Sequence, residues 1–472
     1  MKLSNSYSEL PGNFYAHVQT APAPKPHLLA WNEDLARHLD LDELTQDRAH
    51  LARIFSGSEP LPGGVTIAIA YAGHQFGNFV PQLGDGRAAL IAEAISPVDG
   101  RAYDIQLKGS GLTPFSRNGD GKSPLGPVIR EYLVSEAMHR LGVPTTRSLA
   151  AVASGGRVMR DRIHPGGVLT RVAASHLRVG TFEYFAARND RDALQSLADY
   201  AMARHYPEAV AAERPLLAFF SAVVAAQARL VAHWMALGFI HGVMNTDNTA
   251  ISGETLDYGP CAFMDEFHID KVFSSIDHSG RYAYGRQAHM AQWNLARLAE
   301  CLMLLDGTVD EYETLLSAFQ GDFEARYAAL MCRKLGFPEP IEEHQELVTA
   351  WLQRLQNEQL DYTQSFRQLA SRLDANDPPL FDDFEARWLQ QIDRQPGGRE
   401  QAARIMATSN PRFIPRNHQV ERAIQAAYED DLSIFNELQQ VLSAPFQEHP
   451  GLEHYALPPE NHERVLATFC GT

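Results

Sequence analysis

Two registers of apolar and polar positions divide this chain. Up to about Asn189 the apolar positions fall in short runs, alternating or continuous, between turn residues, as strands require. Beyond it they recur three and four apart, as on the inner face of helices. Within the first part, residues 32–55 are a first exception and predict a helix with Leu35, Leu39, Leu41, Leu44, Leu51 and Ile54 on one face. The stretch before it, PAPKP included, reads as an irregular arm. Residues 71–93 read as strand, turn and strand, with Gly84-Asp85-Gly86 as a turn needing positive φ between residues 80–83 and 88–92. Residues 102–108 predict a strand ending in Lys108, and residues 109–127 a Gly- and Ser-rich loop. A helix follows over 128–141, carrying Glu131 and Glu136 and closed by Gly142 with Pro144 behind it. Residues 145–158 predict a strand and a hairpin at Gly155-Gly156, and 167–172 another strand. Arg171 and Arg178 are expected to face one way across a short helical step. Helices are then expected over 192–205, 215–237 and 287–305, with a long loop at 260–284. From Leu315 onward the pattern is helical, broken at 376–379 and 395–398.

Size and charge narrow this picture. At 472 residues the chain exceeds the ~250–300 at which single cores split, so two packed bodies or one bilobal unit are expected. A net charge of −17 argues against a nucleic-acid backbone as the main partner. Basic residues from Arg157 to Arg178 suit a small anionic ligand, or simply a solvated face. The most apolar stretch, residues 215–239, is interrupted by Gln227, Arg229 and His233, so it is expected to be a core helix, with no membrane span. The amino-terminal stretch lacks the apolar core of a signal peptide, and the four cysteines are too widely spaced for a zinc site or a disulfide framework. A cytoplasmic location is expected.

The candidate chemistry gathers in LGFIHGVMNTDNTAISGETLDYG, residues 237–259. Short oxygen-bearing side chains on either side of a tight turn can converge on one hard cation, Mg²⁺ or Mn²⁺. The layout resembles the protein-kinase catalytic loop followed by its metal-binding DFG. Counted from His241, the metal Asn falls on Asn248 and DFG becomes DYG at Asp257, nine residues further on. The kinase base falls on Val243, which cannot accept a proton. Either the site is silent or it does different chemistry with Asp247. Lys108 on a strand followed by a helix glutamate matches the order of the kinase Lys–Glu pair.

Three longer motifs sharpen the resemblance: YAGHQFGNFVPQLGDGRA, QLKGSGLTPFSRNGDGKSPLGPVIREYLVSEAMHRLGVPTTR and HGVMNTDN. By these, from about Phe14 to the carboxyl end, the chain resembles the selenoprotein-O, or YdiU, family of protein adenylyltransferases. The resemblance implies an α+β, bilobal protein-kinase-like fold with an N-terminal extension and a helical C-terminal region. In residues it implies an N-terminal arm and helix (1–60), an N-lobe-like nucleotide-binding region (61–186), a C-lobe-like catalytic region (187–310) and a helical region packed on them (311–472). It implies ATP as donor, bound flipped, so that AMP passes to Ser, Thr or Tyr hydroxyls of proteins with release of pyrophosphate, with UMP from UTP as a further option. It places nucleotide contacts on Gly84, Gly86, Arg87, Lys108, Asp120, Gly121, Arg171, Arg178 and Asp257. Glu131 pairs with Lys108, Asp247 is the proton acceptor, and Asn248 and Asp257 hold Mg²⁺ or Mn²⁺. A monomer is expected. A conventional kinase and a silent pseudokinase scaffold are the alternatives.

Several residues have blander readings. His241 and His74 are expected to be hydrogen-bonded supports and Glu136 a structural partner. Asp265, Glu266 and Asp270 are expected to be an acidic loop near solvent. Some relatives pair a terminal cysteine or selenocysteine with a loop cysteine. Here Cys470 occupies the terminal position, but the loop offers Ser274 and Ser275, so a disulfide gate is not expected.

Overall fold

The computed structural model describes residues 3–375 and 378–469. One antiparallel sheet forms the first part of the chain, from β1 (Leu3–Ser4), β2 (Tyr15–His17), β3 (His27–Trp31), β4 (Ile67–Ile69), β5 (Ala88–Ile95), β6 (Ala102–Lys108), β7 (Ser123–Pro124), β8 (Arg147–Met159) and β9 (Ile163–Ala173). The order is β2-β4-β5-β6-β9-β8-β3, with β1 on β5 and β7 on β9. After Ala173 the regular structure is almost all helical. The α+β class that the resemblance implies is what the fold shows.

Alternation along each strand decides what lies on each face of the sheet. Ala150, Val152, Val168, Val172, Ile105 and Leu107 turn to one side, under Leu35, Leu39, Leu41, Leu51 and Ile54. Ala151 and Leu169 turn to the other, against Ile129, Leu133 and Ala137 of helix α1 (Leu125–Arg140). Lys108 lies opposite Leu169, and Arg171 lies two residues along from it. Both cations therefore leave the sheet on the α1 face.

Four local expectations away from the site differ from the fold. The arm contributes β2 and β3 at the two ends of the sheet, because even short segments pair when an edge is open. The helix expected over 32–55 is two, Glu33–His38 and Arg48–Phe55, capped by Asn32 and Asp47. Asp40, at φ 58, and a 3₁₀ turn at Asp42–Gln46 separate them, while both bury their apolar residues in one cluster. The hairpin expected at Gly155-Gly156 is a bulge: β8 pairs with β9 on both sides of it, the register slipping between Ala153 and Arg157. Nor is the step from Arg171 to Arg178 helical. Arg171 is on β9, and Arg178 is the extended residue before α2 (Val179–Ala186).

The helical part centres on α3 (Pro215–Ala236), with α4 (Gln287–Leu302) and α5 (Val309–Lys334) packed against it. By length and composition α3 could cross a bilayer, at 22 residues and mean hydropathy 1.7. Here its Phe219, Phe220, Val223, Leu230 and Trp234 are buried in the largest apolar cluster. The last two helices, α6 (Asn417–Tyr428) and α7 (Ser433–Ser443), lie on α1. Their Val420, Ile424, Phe435 and Leu438 share a cluster with Ile129 and Leu133, and Arg130 pairs with Glu421. The carboxyl-terminal region thus clamps the helix that carries Glu131.

Candidate active site

Lys108, Glu131, Arg171 and Asp257 form a buried square of alternating charge. Lys108 Nζ lies 2.6 Å from Glu131 Oε2 and 2.7 Å from Asp257 Oδ2. Arg171 Nη1 lies 3.2 Å from Asp257 Oδ2 and 3.4 Å from Glu131 Oε1. Buried charges persist only when paired in this way. Burial by itself would raise Asp257, but Lys108 and Arg171, with Arg87 beyond, hold it well below the usual carboxylate range. One guanidinium nitrogen, Arg171 Nε, is buried without an acceptor. Glu136, five residues past Glu131 and so on another side of α1, instead takes Arg147 at 2.7 Å and Asn32 at 2.7 Å.

A cavity of about 570 Å³ opens beside this square, lined by Arg87, Lys108, Glu131, Tyr258 and Gly259 and, further out, Arg160, Thr468 and Phe469. The turn that delivers Arg87 depends on its glycines. Gly84 sits at φ 72, and a Cβ on it would run into the Phe115 ring. Thr113 Oγ1 donates to Asp85 O at 2.7 Å, so the Gly- and Ser-rich loop closes onto this turn. Gly121 sits at φ 68 against the backbone of Gly111. Asp120 is not drawn to the square: it takes Arg160 at 2.9 and 3.1 Å and caps Lys122 N–H at 3.0 Å.

Asp247 lies in a short 3₁₀ turn, Thr246–Asn248, after the buried pair Phe239–Ile240. Its setting is the reverse of that of Asp257. Oδ2 has one long hydrogen bond, from Gln75 Nε2 at 3.4 Å, and Oδ1 is buried with no partner. Burial pushes the carboxyl up to about 6, against the pull of Arg178 and Gln75. Arg178 Nη1 donates to the Asp247 carbonyl at 3.2 Å, and its guanidinium lies 4.1 Å from the centre of the Tyr71 ring and 3.7 Å from Asp85 Oδ1. Asn248 Nδ2 donates to Val243 O at 3.0 Å, which turns its Oδ1 the other way.

The strand expected ahead of the Gly84 turn is a separate hairpin, Gly73–Gln75 with Asn78–Val80, and it lies over this loop. Phe76 N–H and the Tyr282 hydroxyl both donate to Asn245 Oδ1, at 3.1 and 2.7 Å. A Cβ on Gly73 would stand 2.8 Å from Asp247 Oδ1, so only glycine lets the hairpin lie on the carboxylate. The motif YAGHQFGNFVPQLGDGRA therefore serves two places: its first half covers Asp247, and its second half forms the turn beside the square.

The two histidines act as supports. His241 is buried, accepts from Val243 N–H at 3.4 Å, and is pushed down to about 4 by burial. His74 is bonded to Glu183. Asp265 is taken up by Arg416 at 2.5 Å and Glu266 by Arg464, while Asp270 faces solvent. Burial pushes the Cys261 thiol up to about 12. Cys470 lies outside the described residues. Sequence reasoning missed Tyr71, Gln75, Asp85 and Glu183. Only Glu183 had a signal, as the one carboxylate in the apolar run VGTFEYF.

Comparison with known proteins shows the family. The family model of the protein adenylyltransferase SelO matches residues 1–443. A protein nucleotidyltransferase YdiU of Rhodopseudomonas palustris (strain BisB5) is 53% identical, over 99% of this chain and 98% of the relative. Proteins of the same name from Maridesulfovibrio salexigens and Agrobacterium fabrum are 51% and 50% identical over all of this chain, and over 98% and 100% of their own lengths.

Proposed function

The chain belongs to the SelO family of protein adenylyltransferases, and from that premise we propose that it transfers AMP from ATP to hydroxyl side chains of proteins, with Asp247 as the base. The observation that carries this reading is the buried carboxylate of Asp247, one oxygen of which has no partner, beside Arg178. A carboxylate poised near neutral pH can take a proton from an attacking hydroxyl, which is worth ~10²–10⁴ in rate. The Lys–Glu pair, the helix behind it and the DYG aspartate support a protein-kinase-like arrangement. Val243 at the kinase base position, with its side chain buried, moves the base to Asp247.

Each cation has a place in this reaction. Arg171 Nε has a free donor for a phosphate oxygen, and Lys108 and Arg87 face the cavity. Arginine can bind two phosphate oxygens at once, and lysine acts as a point charge. Such groups stabilise the departing pyrophosphate only if held before reaction begins, and the square with Glu131 and Asp257 holds them. Tyr71 and Asp85 do the same for Arg178.

The residues present also fit a hard divalent ion. Asn248 Oδ1 and Asp257 Oδ1 accept no protein hydrogen bond among the described residues, and both are oxygen donors of the kind Mg²⁺ or Mn²⁺ takes. When bound, the ion would neutralise phosphate charge. Asp257 stays ionised for that purpose at any physiological pH, because Lys108 and Arg171 fix its charge.

The test is intact-mass spectrometry after incubation with ATP and Mg²⁺, paired with ATP labelled at the α- or the γ-phosphorus. Added AMP and transfer of the α-label are expected. Transfer of the γ-label alone would make the protein a kinase, and no transfer of either would make it a scaffold. UTP with Mn²⁺ is run in parallel, since contacts to phosphates do not choose the base.

A further inference from the structure

We propose that Glu183 and His74 are positioning residues for the reaction, fixing the base loop through Thr246, the residue just before Asp247. The inference rests on Asp247 being the base.

Three elements meet in one closed hydrogen-bonded ring. Glu183 on α2 presents one carboxylate oxygen to the Thr246 hydroxyl and the other to His74 Nδ1. The backbone N–H of His74 then returns to Thr246 Oγ1 at 2.7 Å. The polarity of the ring is fixed. An ionised carboxylate can only accept, so Thr246 donates its hydroxyl proton to Glu183 and its oxygen is left to accept from His74 N–H. His74 must for the same reason carry its proton on Nδ1. Each member satisfies the next, and the ring joins the covering hairpin, α2 and the base loop.

The burial of Glu183 makes this more than packing. The residue is 4% exposed and Thr246 is fully buried. Among the described residues no lysine or arginine forms an ion pair with Glu183; His74 is bonded to it, and Arg297 pulls on it only from further off. A carboxylate in such a place stabilises less than an apolar residue of its size would. What it supplies is direction, because it holds a hydroxyl at a set angle. The neighbours keep the ring from turning: His74 packs 5.3 Å from the Trp293 ring centre and 5.0 Å from that of Phe79. At the loop's other end Arg178 holds the Asp247 carbonyl. The base is thus held from both sides, by charge on one and by the ring on the other.

A shift of ~1 Å in a catalytic group costs on the order of 10²-fold in rate. Substitutions in the ring should therefore act on kcat and leave ATP binding alone, since none of its members touches Lys108 or Arg171. The test measures label transfer from α-labelled ATP into an added acceptor protein, with kcat and the KM for ATP resolved. Glu183→Ala and Thr246→Val should each lower kcat by ~30- to 100-fold with KM changed less than twofold. The double variant should be no worse than either single one, as expected of residues acting as a unit. Thr246→Ser keeps the hydroxyl, and Glu183→Gln keeps both contacts once His74 moves its proton to Nε2 and accepts from the amide at Nδ1, so both should regain all but about fivefold. The proposal is overturned if the losses add, if KM rises while kcat holds, or if Glu183→Gln fares no better than Glu183→Ala. Should Glu183→Ala fail to fold, the contrast of Thr246→Val with Thr246→Ser decides: equal losses in the two overturn the proposal, and recovery in the serine variant supports it. Asp247→Asn separates the two readings. If it stays active, the base assignment is wrong; if it is dead while Thr246→Val is normal, only the ring is.

Discussion

Asp247 and Asp257 are the same residue type, ten positions apart and both largely withdrawn from water, yet their surroundings push them in opposite directions. Asp257 sits between Lys108 and Arg171 and is locked as an anion. Asp247 has one long hydrogen bond and a buried oxygen with none, and burial lifts it to about 6. The contrast fits the roles proposed for them: the anion held by two cations is suited to a metal ion, and the carboxyl near neutrality is suited to take a proton. The helix in between works the same way. Glu131 closes the square, and Glu136, on another side of α1, ties down Arg147.

The largest effect should come from removing the titrating carboxylate. Asp247→Asn is expected to lower label transfer by ~10³-fold, within the range of lost general-base catalysis, with ATP affinity by calorimetry unchanged. Gly73→Ala strikes the same carboxylate from above. Its Cβ at 2.8 Å must displace Asp247, and transfer should fall ~10- to 100-fold while the square stays intact. On the other side, Asp257→Asn leaves Lys108 and Arg171 short of a counter-charge. Chemical denaturation should show a loss of about 3 kcal/mol or more, where Asp247→Asn shows none.

A pH series sharpens the comparison further. In the metal- and nucleotide-free protein, the raised carboxyl of Asp247 leaves folding unpenalised below about pH 4, where it is neutral in both states. The penalty grows as pH rises towards 6 and is constant above. Asp247→Asn should then be the more stable form above pH 6, by on the order of 2–3 kcal/mol, with the gap closing by pH 4. A gap that widens towards acid would overturn the assignment. The smallest effect is expected of Glu136→Gln, with transfer within twofold of the parent, because Glu136 touches Arg147, Asn32 and Ser148 and no part of the square.

Much of this was legible in residue order. Lys108 at a strand end, Glu131 on the next helix and Asp257 nine residues past Asn248 are local facts, and three corners of the square come from them. The local pattern misled where the chain's ends and turns were concerned. Asp40 divides one apolar stripe between two helices, and Gly155 makes a bulge that looks like a hairpin, because a stripe of apolar residues specifies burial and not the path between them. Asp120, a nucleotide contact by resemblance, is held by Arg160, which lines the outer part of the cavity.

The sequence by itself determined the α+β class, the family, and which acids and bases were available, since period, turn chemistry and motif spacing are written residue by residue. Only the tertiary structure decided where each of them sits and what it meets. That the hairpin at Gly73 covers Asp247, that α6 and α7 clamp the Glu131 helix, and that Glu183 reaches Thr246 across 63 positions are long-range contacts with no local signal. The protonation of Asp247 and Asp257 belongs with them. A carboxylate's pKa is set by the water it loses and the charges it meets, and both are fixed only when distant segments close around it.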